Sequence, residues 1–357
     1  MIDRDDLRAA VGAGLMTEAQ AASLAALAES RKDGRSGLAP GDEPFELFRG
    51  FNEVFIVVGL IILAFGWVGI VGGRVEDQLG NYRSLLLITG LAGAGILWLL
   101  SEYFIHRRRM IGPAIVLSLY FAINAGTTLI SYFAQPFMVA QEDLGSLPMP
   151  LALSILAVAL YWWRFKVPVA IAMMAVAAFA LSMVIAANAR GTPESIDQLF
   201  LLSAGGPFAA ITLILGFVFF AIAMGFDMSD PHRVTRRSAQ GFWMHVVAAP
   251  ALINTIALTL IEADTPLASL ALVAVLTLFA LVAIIIDRRS FLIAAIGYSV
   301  ALAGTVFEGE SASTMVVVLG VGLLLLGAFW ERIRARLLAR LPAFVPLDRL
   351  PPSHIQG

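Results

Sequence analysis

Apolar positions in this chain come in long unbroken blocks, with polar residues confined to the gaps between them. Ten such blocks lie between Val54 and Trp330, each close to the roughly 20 residues that cross a hydrocarbon core of about 30 Å. They are Val54–Gly73, Ser84–Phe104, Met110–Phe133, Met149–Phe165, Val167–Asn188, Pro207–Phe226, Phe242–Ile261, Pro266–Ile286, Ser290–Phe307 and Ala312–Trp330. In lipid the backbone must satisfy its own hydrogen bonds, and the blocks are twice the length of a barrel strand, so each predicts a helix. The expected fold is an all-α, polytopic transmembrane helix bundle of about ten spans.

The charges between the blocks alternate. Lys and Arg number six before the first span, then three, two, three and two in the even-numbered loops, and five after the last span. The odd-numbered loops hold two, none, one, none and none. The positive-inside rule then places both termini in the cytoplasm and the chain in the inner (plasma) membrane. The shortest joints, at Arg164–Lys166 and Asp287–Ser290, test this count most severely. Aromatics near span ends (Trp67, Tyr103, Tyr132, Tyr161, Trp162, Trp163, Trp243, Trp330) are expected as headgroup-level belts.

Composition agrees: 59% of residues are hydrophobic and 14% charged, so any soluble part is small. Residues 1–50 read as a cytoplasmic helical head and linker, 51–331 as the ten-span domain, and 332–357 as a basic amphipathic tail. In the head, Gly12 and Gly14 end one short helix, and Thr17-Glu-Ala-Gln20 has capping-box form for a second. Such a hairpin is too small for its own core, so residues 1–30 are expected to dock on the membrane domain, on a cytoplasmic protein partner, or on a second copy in a homo-oligomer. In the tail, Ile333, Leu337, Leu338 and Leu341 share one face and Arg332, Arg336 and Arg340 another. With Arg334, these arginines are the candidate contacts to an anionic lipid surface.

Net charge of −2 gives no footprint for nucleic acid, and the absence of cysteine removes disulfides, thiolate metal sites and a cysteine nucleophile. No P-loop, HExxH or GxSxG is present, so no catalytic residues, cofactor or metal are assigned. Asp227, Asp230 and His232 gather in one loop, but their spacing fits turn and cap chemistry better than a metal site. Candidate pathway or inter-helix polar residues are Asn124, Thr127, Thr128, His245, Asn254, Thr255 and Glu102. The ordinary use of such residues is a hydrogen bond between helices; the alternative is the lining of a solute path. Pro250, one turn before Asn254, favours a kink. Gly69-xxx-Gly73 has close-packing spacing, and Gly90, Gly93 and Gly95 interrupt the second span.

Gly14-Leu-Met-Thr-Glu-Ala-Gln20, Gly59 to Trp67, and Trp330-Glu-Arg-Ile-Arg to Leu350-Pro-Pro352 resemble pieces of an uncharacterised family of bacterial polytopic membrane proteins, a domain of unknown function with a short helical head. That resemblance implies a membrane location and no particular activity. The span count is also similar to that of the drug/metabolite transporter superfamily, by topology alone. The expectation is a transporter or channel-like protein for a small uncharged or amphipathic solute, with a non-transporting scaffold or sensor as the alternative.

Overall fold

The computed structural model describes residues 51–288 except 78, 139, 142, 194, 232 and 234, together with positions 7, 10–17, 20, 21, 23 and 24 of the head and 317, 320–322, 324, 325, 327–342 and 346–351 near the C-terminus. Among these residues every regular element is helical. Eight helices are long and apolar enough to cross a membrane: α1 (Phe51–Asp77), α2 (Tyr82–Ser101), α3 (Ile111–Phe133), α4 (Pro148–Phe165), α5 (Pro168–Arg190), α6 (Phe208–Ser229), α7 (Arg236–Glu262) and α8 (Pro266–Ile285). A short α9 (Trp330–Leu338) follows. The chain is therefore a multi-pass membrane protein built on a helical bundle. The first eight expected spans each fall on one helix. The ninth lies outside the described residues, as does nearly half of the tenth.

Consecutive helices pack as up-and-down neighbours, with the most extensive contact between α6 and α7; α7 also packs on α5, α1 leans mainly on α3, and α9 sits against α8. The short joint after α4 is real. Lys166 adopts a left-handed conformation (φ 53°), its N–H reaches Trp162 O at 2.7 Å, and Pro168 begins α5 where its missing N–H costs nothing. Asp287 (φ 55°) ends α8 the same way: Arg288 N–H bonds Ala283 O at 2.9 Å and Asp287 N–H bonds Ile284 O at 3.3 Å, a Schellman closure. α7 runs unbroken through Pro250. In the head, Gly14 (φ 72°) closes a helical turn, and Thr17 and Gln20 cap each other reciprocally, as their spacing predicts.

The even-numbered loops share one end of the bundle. Glu53 of α1 accepts from Ile111 and Gly112 N–H at the start of α3. Arg164 at the end of α4 bonds Glu102 and His106 in the π turn that closes α2. Arg236 at the start of α7 donates to Phe165 O, and Arg288 beyond α8 reaches Asp227 near the end of α6. At the other end, Arg83 donates to Ala134 O and Thr259 Oγ1 accepts from Leu202 N–H. The charge alternation thus corresponds to two distinct ends, a basic one and one poor in Lys and Arg whose loops carry mostly acids.

Two of the expected belt aromatics are core residues instead. Tyr161 is fully buried, its hydroxyl 2.7 Å from Ser101 Oγ and its ring stacked on Phe121 at 4.6 Å. Trp98 meets Tyr161 and Phe165 edge-on, completing an aromatic core among α2, α3 and α4. A phenol can be buried so deeply because a second hydroxyl satisfies it. Trp330 is also buried.

Candidate functional site

Charged side chains concentrate under the basic ends of α6, α7 and α8. α6 is apolar until its last turns, where Asp227 points into the bundle, 4% exposed. It faces α7 at Gly241, where a Cβ would collide with the Asp227 carboxylate and sit 3.2 Å from Ala223 O. Glycine is required there by the close approach. One turn on, along the same face, His245 is wholly buried, with Nε2 2.9 Å from Asp227 Oδ2 and Phe220 edge-on to the imidazole.

The third member comes from the turn after α8. Arg288 grips Asp227 with two donors, Nε to Oδ2 at 2.9 Å and Nη2 to Oδ1, and Nη2 also donates to Ser238 O at 2.7 Å. Buried charge of this kind is tolerated because it is paired and multiply hydrogen-bonded. A second pair lies alongside: Arg233 bonds Asp287 Oδ2 at 2.8 Å and the Asp287 carbonyl at 2.8 Å. Burial, then the neighbouring Arg288 guanidinium, hold Arg233 below the usual arginine range, against the opposing pull of Asp287 and Asp227. Asp230 accepts from Thr235 N–H and Oγ1, fixing the turn into α7.

α9 and the residues after it close this end of the bundle. Trp330 Nε1 donates to Asp287 Oδ1 at 2.9 Å. Arg334, one turn on, is 1% exposed and donates to the carbonyls of Ile284, Ile285 and Pro351. Leu350 joins the apolar core of α7 and α8. The expectation that Arg334 lies on the lipid-facing surface is therefore corrected. Ile284 O already accepts from Asp287 N–H, and the arginine fork adds donors to it and to Ile285 O at the end of α8. Arg332 and Arg336, on the opposite face of α9, and Arg340, in the turn after it, are exposed.

The mid-span polar residues are engaged within the bundle. Asn124 Nδ2 donates to Gly90 O at 2.9 Å, tying α3 to α2. Thr127 bonds back to Ile123 O, and Thr255, fully buried, to Ala251 O. Thr128 is buried against Gly90. Asn254 is half-buried on α7. Glu102 takes its cation from Arg164 on α4 (2.8 Å) rather than from the adjacent Arg107–Arg109, because the π turn rotates the end of α2 toward α4. Among the described residues no cluster of three or more His, Cys, Asp or Glu side chains could hold a metal; His232 lies outside them.

Sequence reasoning missed Arg288 and the inward turn of Arg334, and left Asp227 in a loop. The signal for Asp227 was present. Gly241 and His245 stand one turn apart on one face of α7, a small residue beside a buried polar one, and this makes room for an acid. Comparison with protein-family models, curated proteins and solved structures finds no match for the chain.

Proposed function

We propose that this multi-pass membrane protein is a non-transporting scaffold or sensor of the inner-membrane surface, with its basic end in the cytoplasm and α9 as the reading element. One observation carries the proposal: α9 is fastened to the bundle by Trp330 and Arg334 while Arg332 and Arg336 on its other face, and Arg340 in the turn just after it, lie exposed. A basic face beside an anionic leaflet gains about 1 kcal/mol per arginine. Because the inner face is bonded to α8, lipid contact is coupled to the membrane helices. Residues 1–30 remain a proposed site for a cytoplasmic partner or a second copy.

The test is amide hydrogen exchange of α9 in nanodiscs. Exchange is expected to slow when anionic lipid replaces zwitterionic lipid, and R332Q/R336Q/R340Q is expected to abolish that slowing while leaving exchange in zwitterionic discs unchanged. Equal exchange of the unsubstituted protein in both lipids would refute the reading.

The transport alternative rests on the mid-span amides. Since Asn124 is spent on the Gly90 carbonyl, a lone cysteine at position 124 in this cysteine-free chain is expected to resist membrane-impermeant thiol reagents from both sides. Prompt labelling would reveal mid-membrane water and favour a transporter or channel for a small uncharged or amphipathic solute.

A further inference from the structure

Three loops converge on the turn between α4 and α5. From the end of α2, His106 accepts from Arg164 Nη1 at 2.6 Å, and its ring lies 5.5 Å from the Phe165 ring. From the start of α7, Arg236 donates to Phe165 O at 3.4 Å. The residues flanking these contacts are basic: Arg107 and Arg108 follow His106, Lys166 follows Phe165, and Arg237 follows Arg236. The contacts join positions 58 and 71 apart, so packing rather than sequence gathers these charges.

The acids of this corner are committed. Glu102 holds Arg164 at 2.8 Å, and Glu53 accepts from the first N–H groups of α3. Among the described residues no carboxylate pairs with Arg107, Arg108, Lys166 or Arg237. Two of these cations are held on aromatic rings instead. Arg108 stands over Tyr103, 5.6 Å from the ring centroid, and donates Nε to its hydroxyl at 3.1 Å. Lys166 Nζ stands 4.1 Å from the centroid of the Trp162 ring. A ring face places a cation without neutralising it. Tyr103 and Trp163 are exposed beside them, and deeper in the span so are Leu99 on α2 and Leu160 on α4.

We propose that this corner seats an anionic phospholipid, its phosphodiester on Arg108 and Lys166 with Arg107 and Arg237 flanking, and its acyl chains along the exposed apolar faces of α2 and α4. Uncompensated positive charge selects an anion. Its place at the basic end, where apolar helix surface begins, selects an anion that carries acyl chains, because a basic site between membrane helices at the headgroup level meets phospholipid before any soluble phosphate. Charge-assisted bonds to phosphate are the strong kind, and the ring contacts hold both donors in place for them. This seat is separate from α9 and is independent of whether that helix reads lipid.

Native mass spectrometry of the full-length protein in nonionic detergent tests the seat. Phosphatidylglycerol and phosphatidylcholine with the same acyl chains are titrated in turn, and the first bound lipid is read. The anionic lipid is expected to bind on the order of tenfold more tightly, and Arg108→Gln/Lys166→Gln is expected to bring the two lipids within about twofold. The α9 variant R332Q/R336Q/R340Q is expected to keep the full preference at this first lipid. Glycerol 3-phosphate, the headgroup anion without chains, is expected not to displace phosphatidylglycerol at equal concentration. Equal affinity of the unsubstituted protein for the two lipids overturns the proposal, as does a full preference in the double variant. Loss of preference in the α9 variant overturns the placement, and displacement by glycerol 3-phosphate overturns the lipid as occupant. Should the double variant not fold, Lys166→Gln alone is expected to weaken phosphatidylglycerol about threefold, and an unchanged affinity then overturns the seat.

Discussion

Asp227→Ala is expected to lose about 3–5 kcal/mol of stability, the cost of leaving a buried charge without its partner. Asp227 is 4% exposed and is bound by His245 and by two donors of Arg288, which is itself nearly buried. Removing the carboxylate strands that guanidinium among apolar helices. Water cannot enter easily, because Gly241 and Ala223 already close around the site. Asp227→Asn keeps the volume but presents an N–H₂ to groups that donate, so it is expected to fall between the two. Removing both charges is milder than removing one. The double variant Asp227→Ala/Arg288→Met is expected to be more stable than the sum of its singles by about 1–3 kcal/mol. Unfolding by SDS titration reads the unsubstituted protein, these variants and the Arg288→Met single that completes the cycle. A cost for Asp227→Ala below about 0.5 kcal/mol, the range of ordinary surface changes, would show that the cluster is not buried as described.

The cluster also marks where sequence stops being informative. The helices were legible because hydrophobicity over about 20 residues is a local property, and lipid leaves the backbone no other way to satisfy its groups. Caps were legible for the same reason: Thr17 and Gln20 lie three residues apart and bond each other. The common end of the even-numbered loops followed from counting charges. Which charge meets which did not. Asp227 and Arg288 are 61 positions apart and meet only because α6, α7 and α8 pack in one particular rotation. Arg334 belongs by sequence to a basic stripe, yet its bonds go to α8 carbonyls some 50 positions earlier. An amphipathic pattern says that a helix has two faces. Here the inward face carries an arginine because its neighbour ends in carbonyls that can accept further donors.

Glycine gives the second large effect, and a contrast within the same motif class. The spacing of Gly69 and Gly73 on α1 suggests close packing, but a Cβ at Gly66, Gly69 or Gly73 meets nothing within 4 Å. At Gly90 on α2 a Cβ would lie 2.7 Å from Thr128 Cβ and still closer to that residue's Oγ1 and Cγ2. None of these is the end of a flexible chain, since a threonine Cβ is fixed to its helix. Gly90→Ala must therefore push α3 away from α2, and this lengthens the 2.9 Å bond from Asn124 to the Gly90 carbonyl and leaves an amide unmatched in lipid. Overpacking a tight contact costs about 1–3 kcal/mol, and Gly90→Ala is expected at or above the upper end of that range. Thr128→Ala in the same chain removes Oγ1 and Cγ2 but not Cβ, so it is expected to restore only part of the loss. Gly66→Ala and Gly69→Ala are expected to be neutral or stabilising by up to about 1 kcal/mol, through helix propensity alone. The opposite order, with α1 sensitive and Gly90 tolerant, would mean that α1 packs against a second copy and that α2 and α3 are further apart than Asn124 and Gly90 require.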